Sequence, residues 1–389
     1  MTGSSPHNMD RLVRCDSLEA AAGWIHGLAP ATPLPRTQVG PYEALEEALL
    51  PALAHPPCFV TFSGGRDSST VLATAAALAR REGLSLPVPV TRRYPDEPAT
   101  DENEWQRSVV RHLGLSEWIR FEYRNGETDL LGEAAREGLR ADGVLWPPAL
   151  QTHRVMYREL GSGSLVTGEG GDAVLGDRRG TPLTASRNGA PRIATLRSAA
   201  AALLPRPIRQ RRIARRARSS QQGRWLRPHA LAEHTRLIAA DLASEPLRFD
   251  ASTWHLTRIR AFHALRHNHA AVAAEYQLRA FEPLLDEGFI AALARAGGRW
   301  GFGDRTDIMK AVFSEVLPTA VLERSTKAAF DRVYTSRATR DFAREWDGSG
   351  VDPDLVDIDR LRAVWLSERP TMATGVLLHS AWLASEGQA

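Results

Sequence analysis

At 389 residues, 43% hydrophobic and 24% charged, the chain has an ordinary globular composition and the length to bury one large core or two modest ones. No run approaches the ~20 apolar residues of a membrane span, the N-terminus MTGSSPHNMD has no signal-peptide core, and two cysteines exclude a disulfide framework or a cysteine-built zinc site, so a reducing cytoplasm is the expected setting. The net charge of +3 conceals an asymmetry: residues 178–232 hold 14 Arg and no acid, which leaves −11 on the rest, and only Lys310 and Lys327 among 49 basic residues are lysine.

In chain order, residues 1–54 read as an N-terminal extension. Its first 40 residues are rich in Pro and Gly and predict a loosely ordered arm with one short helix near Leu18–Ile25, and Tyr42 to Leu53 predicts an amphipathic helix. Cys58 to Phe62 is an apolar run of the kind that becomes a buried parallel strand. It breaks at Ser63-Gly64-Gly65, and a helix is predicted from Ser68 to Arg81, closed by Arg80, Arg81 and Gly83. The two glycines let the backbone turn tightly and approach a ligand. The helix N-terminus beyond them favours a phosphate. Asp67 can hold a metal there and Ser68 a phosphate oxygen. The loop is not a Walker A, since it lacks the lysine and the spacing.

Pro87 to Thr91 predicts a second strand, short or irregular because of its two prolines. Asp101 with Glu104 predicts a capping box opening a helix to His112, with catalytic carboxylates at Asp101 and Glu102 as the other reading. Trp118–Tyr123 and Ser164–Thr167 read as further strands, separated by helical patterns at 127–140 and 149–160. This alternation predicts an α/β fold, a doubly wound parallel sheet with helices on both faces and a largely helical C-terminal half.

The fourth strand runs into Thr167-Gly168-Glu169-Gly170-Gly171-Asp172, a second glycine turn carrying acids. If strands one and four are neighbours at the switch point, Asp67 and Asp172 converge, and two carboxylates around a triphosphate suit Mg²⁺. Without that adjacency Glu169 and Asp172 are ordinary turn acids. The Arg-rich insertion, about 178–230, reads as a solvated loop or helix surface, a docking patch for an acidic peptide, or a grip on nucleic acid. His263 and His267, four apart on one predicted helix with His269 nearby, form an HxxxH pair without a third ligand or a carboxylate on that face, and all read as helix-surface or interface histidines. Residues 346–366 and 372–384 read as scaffold.

Strand–SGGxDS–helix resembles the PP-loop of enzymes that split ATP between its α- and β-phosphates. Four landmarks in order, SGGRDSS, GEGGDAVLG, EPLLD and RSTKAAF, resemble the synthetase domain of asparagine synthetase and its relatives, over roughly residues 55–385. The SGGRDSS spelling, the RYPDEP…DENEWQ stretch and the Arg-rich segment ending in WLRP look most like the lasso-peptide cyclase and β-lactam synthetase branch. The resemblance implies ATP and Mg²⁺ as cofactors, adenylation of a carboxylate, release of pyrophosphate, and attack by an amine to give an amide. It implies that Ser63, Gly64, Gly65, Asp67 and Ser68 hold the pyrophosphate, that Thr167 and Gly168 approach the nucleotide, and that Asp67 with Asp172 binds the metal. Lys327 is implied over the reacting centres, Glu169 beside the substrate or the amine proton, and Glu282 is a second candidate base.

Residues 55–389 are accordingly expected to form the synthetase-like domain. Glutaminase-bearing members begin with a catalytic Cys, and here position 2 is Thr2, so glutamine-derived ammonia is not expected from this chain. The expected partners are a small-molecule or peptide substrate carrying a carboxylate and an amine, and a precursor peptide or leader-binding protein. The expected role is natural-product or peptide biosynthesis, including lasso-type macrolactam closure. Other readings are a tRNA-modifying PP-loop enzyme, against which the GEGGD loop and the missing cysteine spacings argue, and an ammonia-dependent amidase partner protein. A retired scaffold is opposed by the intact Asp67, Asp172 and Lys327.

Overall fold

Five short strands pair side by side in a computed structural model that describes residues 12–124, 126–188, 193–218, 220, 222–326, 328 and 330–387. They are β1 (Cys58–Thr61), β2 (Val88–Arg93), β3 (Ile119–Glu122), β4 (Gly163–Val166) and β5 (Leu278–Phe281), in the order β3-β2-β1-β4-β5. Every pairing is parallel, with Phe59 opposite both Val88 and Leu165. The chain walks outward from β1 to β3, then returns to lay β4 on the other side of β1. That reversal leaves a crevice at the carboxyl ends of β1 and β4, where open α/β sheets bind ligands.

Alternation along each strand splits the core into two layers. Cys58, Val60 and Phe62 face the helices Pro41–Leu53, Arg66–Glu82 and Glu287–Gly297. Phe59, Val90, Leu165 and Leu278 face Ala149–Leu160 and Arg260–Ala274. A third cluster gathers Trp225, Trp346, Trp365 and Trp382 and ties residues 21–22 and 130–139 to the C-terminal helices. Among the described residues no helix is long and apolar enough to cross a membrane.

Several sequence expectations change. β5 was not anticipated: Leu278-Arg279-Ala280-Phe281 carries an arginine on an edge strand, and its apolar signal is too short to stand out. β2 is the longest strand despite Pro89. Val90 C=O accepts from Phe62 N–H on the β1 side, so Pro89 turns its missing N–H towards β3, which begins only opposite Val90. The Asp101–Glu104 capping box does not form; Asp101 Oδ1 accepts from Asn103 N–H at 2.9 Å, and Glu102 is the residue that precedes the helix Asn103–His112.

From residue 12 onward the N-terminal arm is tied down rather than loose, because helix side chains satisfy its backbone; residues 1–11 lie outside the described residues. Val13 and Asn268 exchange two hydrogen bonds of 2.8 and 2.9 Å, Gly27 N–H donates to Asp241, and Arg258 donates to Ala29 C=O. The described part of the Arg-rich insertion is largely helical. Arg209 is buried against the carbonyls of Leu242 and Ala243, and Arg179 donates to those of Ala202 and Leu204, so both cations sit at helix C-termini.

Candidate active site

The first glycine turn is held from inside and outside. Gly64 has φ +82, and a Cβ on it would come within 2.9 Å of Gln106 Cγ. Within the turn, Ser68 Oγ accepts from Ser63 N–H at 3.2 Å and lies 3.1 Å from Ser63 Oγ, while Gln106 donates to Ser63 C=O. From outside, Arg324 Nη1 donates to Gly64 C=O at 2.8 Å, its other nitrogen pairs with Glu102, and its guanidinium covers Trp105 at 4.8 Å. Arg324 and Glu102 are both buried, so the charges are paired where water cannot pair them. Glu102 is therefore engaged in positioning the loop. Arg324, the first residue of RSTKAAF, is thereby bonded to the glycine turn. Lys327 itself lies outside the described residues.

The second turn packs directly on the first. A Cβ on Gly168 would lie 3.0 Å from Ser68 N, and one on Gly171 would lie 2.4 Å from Asp67 Cγ, so only glycine lets the two backbones approach this closely. Gly170, with φ +83, passes against Leu285 just beyond β5. Asp67 and Asp172 come together, and the group between them is Arg305, which sequence reasoning missed. Its Nη2 donates to Asp67 Oδ1 at 2.5 Å and its Nη1 to Asp172 Oδ1. Burial works against the charge of Arg305, yet Asp67 and Asp172 outweigh it and raise its pKa. Arg305 opens the helix Arg305–Phe313, and a cation at a helix N-terminus opposes the dipole. That local misfit was the available signal.

Two carboxylates gathered on one cation fit Mg²⁺, which takes oxygen ligands and is commonly held by one or two carboxylates with phosphates completing its shell. Among the described residues there is no group of three or more His, Cys, Asp or Glu that could hold a metal without such help.

Glu169 follows β4; part of its side chain reaches solvent, but protein packed around the carboxyl raises its pKa, first by desolvation, with Glu282 and Asp172 adding to the rise and His269 and Arg92 opposing it. Glu282 follows β5, is buried, and bonds His269 Nδ1, with Arg266 Nε 3.9 Å from its other oxygen. His269 is thus a buried partner of Glu282, stacked on Tyr157 at 6.0 Å, and not a surface histidine; His263 bonds Thr257 C=O at 2.7 Å. Thr167 bridges the edges, its N–H donating to Phe281 C=O and its hydroxyl accepting from Glu169 N–H at 3.3 Å. Ser63, Gly64, Gly65, Asp67, Ser68, Thr167, Gly168, Glu169, Asp172 and Glu282 all stand at the carboxyl ends of β1, β4 and β5.

A family model described as asparagine synthase matches residues 42–383. No curated protein matches the chain.

Proposed function

The chain belongs to the asparagine synthase family and is an ATP-dependent amide-forming ligase in the general sense of that family; on that footing we propose that it adenylates a carboxylate, releasing pyrophosphate, and passes the acyl group to an amine, releasing AMP. The observation that carries this reading is the contact of the two glycine turns, with Asp67 and Asp172 gathered on Arg305.

Ser63, Gly64, Gly65 and Ser68 offer backbone and hydroxyl groups at a helix N-terminus to the leaving pyrophosphate. Asp67 and Asp172 would hold Mg²⁺, which would supply charge neutralisation on the phosphates when bound. Thr167 and Gly168 border the nucleotide, and Lys327 stabilises charge on the phosphate and on the tetrahedral oxyanion. Glu169 takes the proton that the attacking ammonium sheds, and its raised pKa makes it a stronger base than an ordinary carboxylate. Glu282, oriented by His269, is the alternative base. The acceptor belongs to natural-product or peptide chemistry, including a macrolactam closed between a peptide amine and an Asp or Glu side chain. The support for that is the likeness of SGGRDSS and the Arg-rich insertion to the lasso-cyclase branch. A precursor peptide or its carrier is the partner this reading implies.

The test is purified protein with Mg²⁺, ATP and a panel of acids, amines and peptides. Pyrophosphate and AMP should appear together with an amide, and Lys327→Ala should slow their release by about 10²–10³. Absence of both products with every acid and peptide would overturn the proposal.

A further inference from the structure

The basic insertion and the helix after it carry the most exposed apolar side chains of the molecule. Among the described residues these are Leu203 at 58%, Leu242 at 53%, and Leu196 and Ile208 at 49% each. All four lie on three successive helices, Ile193–Leu203, Arg206–Arg218 and Pro228–Ala243. Single exposed hydrophobics are ordinary, whereas a group of them on one structural unit marks an interaction site.

Two arginines draw three of these side chains together. Arg179 donates to the carbonyls of Ala202 and Leu204, and Arg209 to those of Leu242 and Ala243. Both also donate to Glu245 C=O, at 2.9 and 3.3 Å. The ends of the first and third helices thus meet the start of the second at one knot, which carries Leu203, Ile208 and Leu242 on its outside.

Along the middle helix the outward face continues as positive charge. Ile208, Arg211, Arg212 and Arg215 follow the i, i+3, i+4, i+7 spacing of one helix face, and all four are exposed while Arg209 is buried. Residues 178–232 contain no acid to balance them. The acids of the neighbouring helix and its exit are engaged elsewhere: Glu233 with Arg236, Asp241 with Gly27 N–H, and Glu245 with Arg179 N–H and the Ser252 hydroxyl. Arg211, Arg212 and Arg215 have no ion-pair partner among the described residues.

The surface is aliphatic at one end and cationic along its length, and its complement is a segment with carboxylates and an aliphatic edge. Guanidinium takes a carboxylate with two parallel N–H donors. Nucleic acid fits less well, because the three helices contain no Phe, Tyr or Trp on which a base could stack. A helix that lies on lipid keeps a continuous apolar face apart from its cations, whereas here the arginines share the face of Ile208. The rest of the chain is net negative, which repels an extended polyanion more than a short acidic segment.

We propose that this surface docks an acidic amphipathic segment of a partner polypeptide. Its carboxylates meet Arg211, Arg212 and Arg215, and its aliphatic side chains cover Leu203, Ile208 and Leu242. The inference goes beyond the ligase reading and does not depend on it.

The test presents a displayed library of short random peptides to the immobilised full chain. The triple variant Arg211→Gln, Arg212→Gln, Arg215→Gln serves as counter-selection. Peptides kept by the native protein and rejected by the variant should be rich in Asp and Glu, with Leu, Ile or Val at helical spacing. In calorimetry the strongest of them should weaken about 10–100-fold when its acids become amides or when the three arginines become Gln, since each exposed ion pair contributes a factor of about 1.5–5. Added salt should weaken it as well. Ile208→Ser changes no charge, and should weaken the same peptide several-fold. Single-stranded RNA, duplex RNA and vesicles of phosphatidylcholine with phosphatidylserine, titrated alongside, should all bind more weakly than the peptide. The proposal is overturned by a selection without acidic enrichment, by variants that bind as the native protein does, or by tighter binding of RNA or vesicles. Dimerisation of the native chain that the triple variant abolishes would seat a second copy on this surface, and would overturn it too. Pyrophosphate release is not read, so failure of the ligase reading leaves each of these outcomes as it stands.

Discussion

Replacing Arg305 by Ala would leave Asp67 and Asp172 facing each other without the guanidinium that joins them. The Arg305 and Asp67 side chains are each 20% exposed, so their 2.5 Å contact counts as a charge-assisted bond in a partly desolvated place, about 1.5–3 kcal/mol. Asp172 is 61% exposed, so its share is screened to at most about 1 kcal/mol. Some of this returns when water reaches the vacated carboxylates, and a net loss of about 1–3 kcal/mol is expected. With an unfolding entropy of ~2.1 cal/mol/K per residue, that lowers the melting temperature by about 1–4 °C. The deficit should shrink when Mg²⁺ and a non-hydrolysable ATP analogue are added, because a bound cation then neutralises the same carboxylates and stabilises the folded state by mass action. Thermal unfolding of both proteins, with and without Mg²⁺–nucleotide, reads the difference of differences. Equal melting without ligand, or a deficit that Mg²⁺–nucleotide leaves intact, would refute the idea that Arg305 holds the place of the metal.

Glu169 predicts a pH effect with a definite sign. Its raised pKa means that the base form is lost, as pH falls, earlier than for an ordinary carboxylate; the acid limb of kcat/KM should lie above the ordinary glutamate value of 4.5, and Glu169→Gln should lower activity and remove that limb. A limb that persists in the variant assigns the base elsewhere. Gly171→Ala places a Cβ 2.4 Å from Asp67 Cγ and 2.6 Å from Asp67 Cβ, so the turns must part; calorimetry should show Mg²⁺–ATP affinity falling at least about tenfold. Arg324→Met strands the buried Glu102 and frees the Gly64 carbonyl, which should cost about 3–5 kcal/mol in urea unfolding. A loss under about 1 kcal/mol would mean that the loop holds itself.

The amino-acid sequence by itself determined the parts whose signal is local. β1 to β4 are short β-friendly stretches, apolar in β1 and β4, and a glycine turn that allows close backbone approach follows β1 and β4. Such a signal needs no knowledge of distant residues, because strand burial and turn geometry are set within a few positions. Only the tertiary structure decided which charges meet. The chain spells nearly every cation as arginine, so Arg92, Arg305 and Arg324 look alike on paper. Folding gives one a place among tyrosines, one a pair of aspartates, and one a buried glutamate with a loop carbonyl. The partners of Arg305 and Arg324 lie more than a hundred residues away, and pairing energy depends on distance and desolvation, neither of which is written in spacing along the chain.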